Sequence, residues 1–263
     1  AVSDLGYTSF QAEVYDARAL SLWCKAETEA LRMRAANLGL SCSVFLAHFL
    51  GQYFAEHELM HDTASGLEEM KRVSLAAAEV TRDAQNPIVV VPSLSGSRTN
   101  VEGRGVWDAF VQKISEFARV ASENGLRFAV EPVPGGMINT SRAFVRLNEQ
   151  LSQGTAWFLL DTGNLYAAGD DVLAAIDQVR GLIAATHICD TAAGSTSLEP
   201  GTGEMNWPRV MRALCRDDQP FSLDVEIACS ASQVAEAYSR SIAFLKRHES
   251  STALTGGVPH GKS

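Results

Sequence analysis

Apolar residues recur along this chain in two alternating rhythms. Short, nearly unbroken apolar runs appear at Ile88-Val89-Val90-Val91, Phe128-Ala129-Val130, Trp157-Phe158-Leu159-Leu160, Ile183-Ala184-Ala185-Thr186 and Phe221-Ser222-Leu223-Asp224-Val225. A run without polar alternation predicts a strand covered on both faces, as in a parallel sheet. Two more strands are predicted at Tyr7–Ala12, which alternates, and at Leu40–Phe49. Between the strands apolar positions return every third or fourth residue, which predicts helices over Arg18–Leu38, Leu67–Ala84, Trp107–Asn124, Thr140–Leu151, Asp171–Val179, Trp207–Cys215 and Ser232–Arg247. Gly39 and Gly125 close the first and third of these, and Ala1–Gly6 reads as the end of an earlier helix. Seven strands alternating with seven full helices predict a parallel sheet with right-handed crossovers, and the expected fold class is α/β, a (β/α)8 TIM barrel. Because no strand stands before the helix end at Ala1–Gly6, the barrel is expected to lack its first strand and most of its first helix. An open doubly wound sheet is disfavoured by the absence of a GxGxxG turn after the first strand. One domain over 1–247 and a flexible tail over 248–263, rich in Gly and carrying His260, complete the expected organisation.

Composition narrows the partners. The chain has 263 residues, 46% of them hydrophobic and 20% charged, within the range of a single globular barrel. A formal charge of −9 and a pI near 5.2 oppose a surface built to neutralise nucleic-acid phosphates, so a small polar metabolite is the expected partner. Five cysteines, Cys24, Cys42, Cys189, Cys215 and Cys229, form no CxxC pair, which fits reduced thiols in the cytoplasm. No apolar run approaches the roughly twenty residues of a membrane span.

Four apolar runs stop on residues able to bind a metal: Glu131, Asp161, His187 and Glu226. Their spacing of roughly thirty residues fits one strand, one helix and two loops. Parallel barrel strands all end on one face, so the four side chains are expected to converge there. Two Glu, one Asp and one His make a mostly oxygen donor set suited to Mn²⁺ or Mg²⁺, with Zn²⁺ or Co²⁺ as alternatives, better than to a closed structural zinc. The segment Gly51–Asp62, with His57 and His61, is read as a loop on the same face; the four-residue spacing of the two His would also suit a metal site on a helix.

These residues also carry a resemblance. Val130-Glu131-Pro132, Asp161-Thr162-Gly163-Asn164, His187-Ile188-Cys189-Asp190, the stretch Glu199 to Trp207 and Asp224-Val225-Glu226 resemble the sugar phosphate isomerase/epimerase superfamily with the xylose isomerase-like barrel. The Pro-Gly-x-Gly segment is most like that of hydroxypyruvate isomerases and inosose-processing relatives. In the ketose 3-epimerases of that superfamily, the matching four residues bind one divalent metal and the two Glu pass protons. The resemblance thus implies catalytic Glu131 and Glu226 and metal ligands Glu131, Asp161, His187 and Glu226. His48, Asn164, Asp190 and Glu204 are candidates for substrate contacts, Asp190 alternatively as a partner of His187. Met137, Asn164, Ala193 and Gln11 depart from the ketose-epimerase pattern, so the substrate is expected to differ.

The implied activity is isomerisation or epimerisation of a small sugar or sugar-derived hydroxy-carbonyl compound, through an enediolate stabilised by a divalent ion. A dehydratase acting on a keto-inositol or dehydroshikimate-like compound is the alternative, since the same enolate can expel a β-hydroxyl. A non-catalytic partner subunit is a third reading, and an endonuclease of abasic DNA is disfavoured by the acidic balance. A homo-oligomer is compatible with all of them.

Overall fold

A computed structural model describes residues 2–23, 25–50, 63–93, 104–151, 156–192, 194–216 and 221–255. His57, His61, most of the Gly/Ser-rich segment before Gly105, and His260 lie outside them. Six strands run parallel in the order of the chain: β1 (Ser9–Val14), β2 (Ser41–Ala47), β3 (Ile88–Pro92), β4 (Arg127–Glu131), β5 (Trp157–Asp161) and β6 (Ile183–His187). The sheet curls into a TIM barrel short of its full set of strands. The segment expected as a seventh strand, around Phe221–Glu226, extends the curl through a single parallel bridge from Ile188 to Val225. Ile188 donates its N–H to the Asp224 carbonyl at 2.7 Å, and Glu226 donates to the Ile188 carbonyl at 3.3 Å.

Helices pack outside the sheet: α1 (Lys25–Asn37), α2 (Thr63–Val80), α3 (Arg104–Glu123), α4 (Ser141–Asn148), α5 (Thr162–Ala167), α6 (Val172–Val179), α7 (Trp207–Leu214) and α8 (Val234–Thr255). The helix expected over Arg18–Leu38 is divided. Asp16 caps a 3-10 turn at Ala17–Leu22, and the α-helix proper begins at Lys25. α8 runs on to Thr255, into the segment expected to be a loose tail. Gly39 and Gly125 end α1 and α3 with φ of 68° and 73°. At each, the next residue's N–H reaches back to a carbonyl of the last turn, Leu40 to Ala35 and Leu126 to Ala121, a closure that requires the left-handed backbone glycine adopts freely.

The sheet is buried on both sides, and its period of two sorts the two sides except at β6, where a register shift leaves both Ala184 and Ala185 in the inner cluster. Phe45, Val89, Val91, Phe128, Val130, Phe158 and Leu160 face the helices and join Phe110, Phe117, Phe144 and Ile176 in the outer core. Val44, Leu46, Ile88, Val90, Ala129, Leu159 and Ala185 form a separate cluster inside the barrel. Each Phe of the outer layer, cut to Ala, would cost about 3–5 kcal/mol in lost burial and cavity formation. The inner columns have a further meaning. Counting two residues onward from Leu46, Ala129, Leu159 and Ala185 gives His48, Glu131, Asp161 and His187. The alternation that fills the barrel therefore places these four side chains on its inner side at the ends of the strands, where the packing stops.

Two features absent from the sequence reading complete this end of the barrel. A hairpin of β7 (Asp190–Ala192) and β8 (Ser195–Leu198) follows β6. The short helix α5 starts directly at the end of β5. On the opposite side, β1 and the 221–226 segment face each other across a cleft of about 680 Å³, which reaches Gln11, Glu13, His187 and Glu226. Among the described residues no helix is long and apolar enough to cross a membrane, and the cysteines Cys42, Cys189, Cys215 and Cys229 are unbridged.

Candidate metal centre

Glu131, Asp161, His187 and Glu226 meet as the strand-end pattern predicts, each offering a ligand atom within 4.8 Å of the others. His187 is central. Its Nδ1 lies 3.1 Å from Glu131 Oε1, 3.0 Å from Glu226 Oε2 and 3.6 Å from Asp161 Oδ2. Glu131, Asp161 and His187 are buried, while the Glu226 side chain keeps 26% of its surface exposed. Glu226 is thus the member of the set that borders open space.

The electrostatics are those of a site arranged for positive charge. Burial, followed by repulsion from neighbouring carboxylates, pushes Glu131 and Asp161 above the usual carboxylate range, and their bonds to His187 offset only part of this. Burial alone would lower the His187 pKa, but the carboxylates of Glu226, Asp161 and Glu131 outweigh it and hold the imidazole well above its ordinary value. A divalent ion would replace this proton charge at the centre of the cluster. The donor set fits one in chemistry, with three carboxylates and one imidazole nitrogen, and in the convergence of all four side chains.

Gln11 fixes which imidazole nitrogen faces the cluster. Its Nε2 donates to the Thr186 carbonyl at 3.2 Å, which turns its Oε1 toward His187 Nε2 at 2.9 Å. His187 therefore donates through Nε2, and Nδ1 remains for the carboxylates or a cation. Replacing Gln11 with Leu removes this acceptor. The expected result is a 10- to 100-fold loss of Mn²⁺ affinity, measured by equilibrium dialysis; unchanged affinity would show that the carboxylates orient His187 unaided.

The remaining candidates fall in distinct places. Asn164 serves Asp161: its backbone N–H donates to Oδ1 at 2.8 Å and its side-chain amide to Oδ2 at 2.9 Å, so Asp161 is at once strand end, helix cap and member of the cluster. Asp190 is fully buried and accepts from the N–H groups of Thr191, Gly201, Gly203 and Met205 and from the indole of Trp207. That carboxylate organises the 201–207 loop. A Cβ at Gly203 would lie 2.4 Å from Asp190 Oδ1, so the loop also needs glycine there. Glu204 is exposed and accepts the Tyr166 hydroxyl at 3.0 Å. His48 borders the cluster: its Nε2 lies 3.3 Å from Glu13 Oε2, and ligand atoms of Glu13, His48 and Glu226 fall within 4.8 Å of one another.

Gln11, Glu13 and Tyr15 stand at this site and were not among the residues the sequence picked out for it. The signal was available: Phe10, Ala12 and Val14 alternate with Gln11, Glu13 and Tyr15, and β1 runs to Val14. Ending the strand at Ala12 left Glu13 in a loop.

The family profile described as xylose isomerase-like TIM barrel matches residues 1–248. The chain belongs to that family. Solved structures similar to this xylose isomerase-like barrel include an L-ribulose 3-epimerase, with a TM-score of 0.77 and 17% identity over 98% of this chain and 91% of that one. The 3-keto-D-glucoside 4-epimerase from E. coli aligns with a TM-score of 0.71 and 21% identity, covering 94% and 91%. A probable 3-DHS dehydratase involved in petrobactin synthesis in Bacillus anthracis aligns at 0.73 and 11%, covering 93% and 90%. No curated protein matches this chain in sequence.

Proposed function

We propose that this barrel is a divalent-metal-dependent isomerase or epimerase of a small sugar or sugar-derived hydroxy-carbonyl compound. The observation that carries the reading is the convergence of Glu131, Asp161 and His187, from three successive strands, with Glu226 of the bridged segment that follows into one cluster. All four would hold the ion, Mn²⁺ or Mg²⁺ by their oxygen-rich donor set. When bound, it would polarise neighbouring substrate oxygens and offset the negative charge that develops as a proton leaves carbon.

The protein's own residues supply the proton transfers. Glu226, bordering the cleft, would take a proton from the carbon beside the carbonyl, and Glu131, which meets the same His187 Nδ1, would return one. Asp161, fastened through both oxygens by Asn164, would serve as a ligand without exchanging protons. His187, held through Nε2 by Gln11, would keep Nδ1 on the cluster. The epimerases among the similar structures support a sugar substrate, and the acidic charge supports a small metabolite over a nucleic acid.

The test is solvent exchange. The Mn²⁺-loaded protein incubated with ketoses and keto-inositols in D₂O is expected to incorporate deuterium beside the carbonyl, read by NMR and mass. A folded, metal-loaded protein that exchanges no proton in any of them sinks the reading. The similarity to a dehydratase favours a second outcome, in which the same proton abstraction is followed by loss of a β-hydroxyl. A product lighter by one water identifies it.

A further inference from the structure

Gln11 and Glu13 lie on one face of β1, and Tyr15 follows them one residue past the strand's end at Val14. The first two are accounted for by His187 and His48. Tyr15 is different. Its hydroxyl donates to Glu13 Oε2 at 2.6 Å, and its ring lies flat on the His48 imidazole, with centroids 4.1 Å apart and planes 9° from parallel. A side chain gripped at its tip and on one face would ordinarily be covered, yet Tyr15 is 65% exposed. The stacked face is taken, so the exposed area is the opposite face and the ring edge. That open face belongs to a group adjoining the metal centre, since Glu13 and His48 share their cluster with Glu226.

Single exposed aromatics are common on protein surfaces and need no function. Such residues are free to move. Tyr15 instead has its ring plane set by two neighbours, at the rim of a site, which is how binding pockets present rigid apolar area beside a few polar groups.

We propose that Tyr15 is a specificity-determining residue, the wall on which the C–H face of the substrate packs, and that the substrate is a ring-form hydroxy-carbonyl compound. A closed ring offers several C–H bonds in one plane to an aromatic face, while an open chain of the same composition presents hydroxyls on all sides. Glu13 and His48, on the buried side of the stack, hold the wall in place and are positioning residues. The proposal rests on the isomerase reading for the word substrate, but the wall itself can be tested by binding alone.

The probes are myo-inositol, a ring polyol without a carbonyl, and ribitol, an acyclic five-carbon polyol, titrated against the Mn²⁺-loaded full chain by saturation-transfer NMR. Tyr15→Ala is expected to weaken myo-inositol binding about tenfold and leave ribitol binding and Mn²⁺ stoichiometry unchanged, as loss of one aromatic contact predicts. Tyr15→Phe, which keeps the ring, is expected to retain most of the preference. Equal weakening of both polyols, no weakening of either, or no binding of myo-inositol by the wild type overturns the wall. A Tyr15-dependent preference for the ring in a protein that exchanges no proton in any hydroxy-carbonyl compound would refute the isomerase reading and leave the wall standing.

Discussion

Glu226→Gln is expected to lower turnover of the metal-loaded protein by about 10²- to 10⁴-fold while leaving the fold intact, the range over which a positioned acid or base acts. Glu226 differs from its companions in being partly open, on a segment tied to the barrel by one bridge, so an isosteric amide there disturbs no packing. Gln keeps an oxygen near His187 and removes the proton-accepting charge. Metal affinity should therefore fall far less than turnover. Rate and Mn²⁺ affinity measured on the same sample decide the matter: a variant with wild-type turnover removes Glu226 from the chemistry, and one that loses both in proportion makes it a ligand only.

The second large effect concerns stability and pH. Glu131 and Asp161 have folded-state pKa values above the ordinary carboxylate range, so the folded state holds protons that the unfolded chain has released. Stability of the metal-free protein must then fall as pH rises from about the ordinary carboxylate pKa toward the raised folded values. His187 acts in the same direction. Its folded pKa is raised, and the stability this gives is complete below the ordinary imidazole value and lost as pH rises through the folded one. All three shifts make the metal-free protein less stable as pH rises. A bound divalent ion reverses the trend, because its ligands must be deprotonated to bind it. At a free ion concentration of about 100 times the dissociation constant, the stabilisation is about 2.7 kcal/mol, or about 5–10 °C in Tm for a chain of this size. Melting curves with and without Mn²⁺ between pH 5 and 8.5 should diverge steadily. Parallel curves would mean that no ion displaces protons from this cluster.

Much of the fold was legible because the barrel writes itself in apolar runs. The ends of β4, β5 and β6 could be read to the residue, since Glu131, Asp161 and His187 each interrupt a run that burial on both faces had kept apolar. The same logic failed where burial is one-sided. Tyr7–Ala12 was read two residues too early: β1 is Ser9–Val14, at the edge of the sheet, where Glu13 is compatible with a strand because one side is wet. Along Phe221–Val225 the Thr186 hydroxyl takes the place of regular ladder bonds, donating to the Ser222 carbonyl and accepting from the Asp224 N–H. The β7–β8 hairpin has no apolar alternation to announce it; five donors converging on Asp190 hold the adjoining loop, and such convergence is invisible along the chain. α5 is too short for a helical period to show, and Asp161 starts it by capping. Asn164 and Asp190 were named as substrate contacts; their hydrogen bonds go to Asp161 and to the 201–207 loop respectively, partners that only the fold brings together.

The two-residue alternation along the strands divides the protein's tolerance to substitution as well as its volume. Positions that hold the barrel together and positions that touch what enters it occupy different rungs of the same strands, with Leu46 below His48 and Ala129 below Glu131. Mutation can then explore new rim residues, at 13, 15 or 48, without first solving the packing problem again. Substitutions at the rim can therefore change what fits there while leaving the packing that sets the Glu131, Asp161, His187 and Glu226 cluster in place.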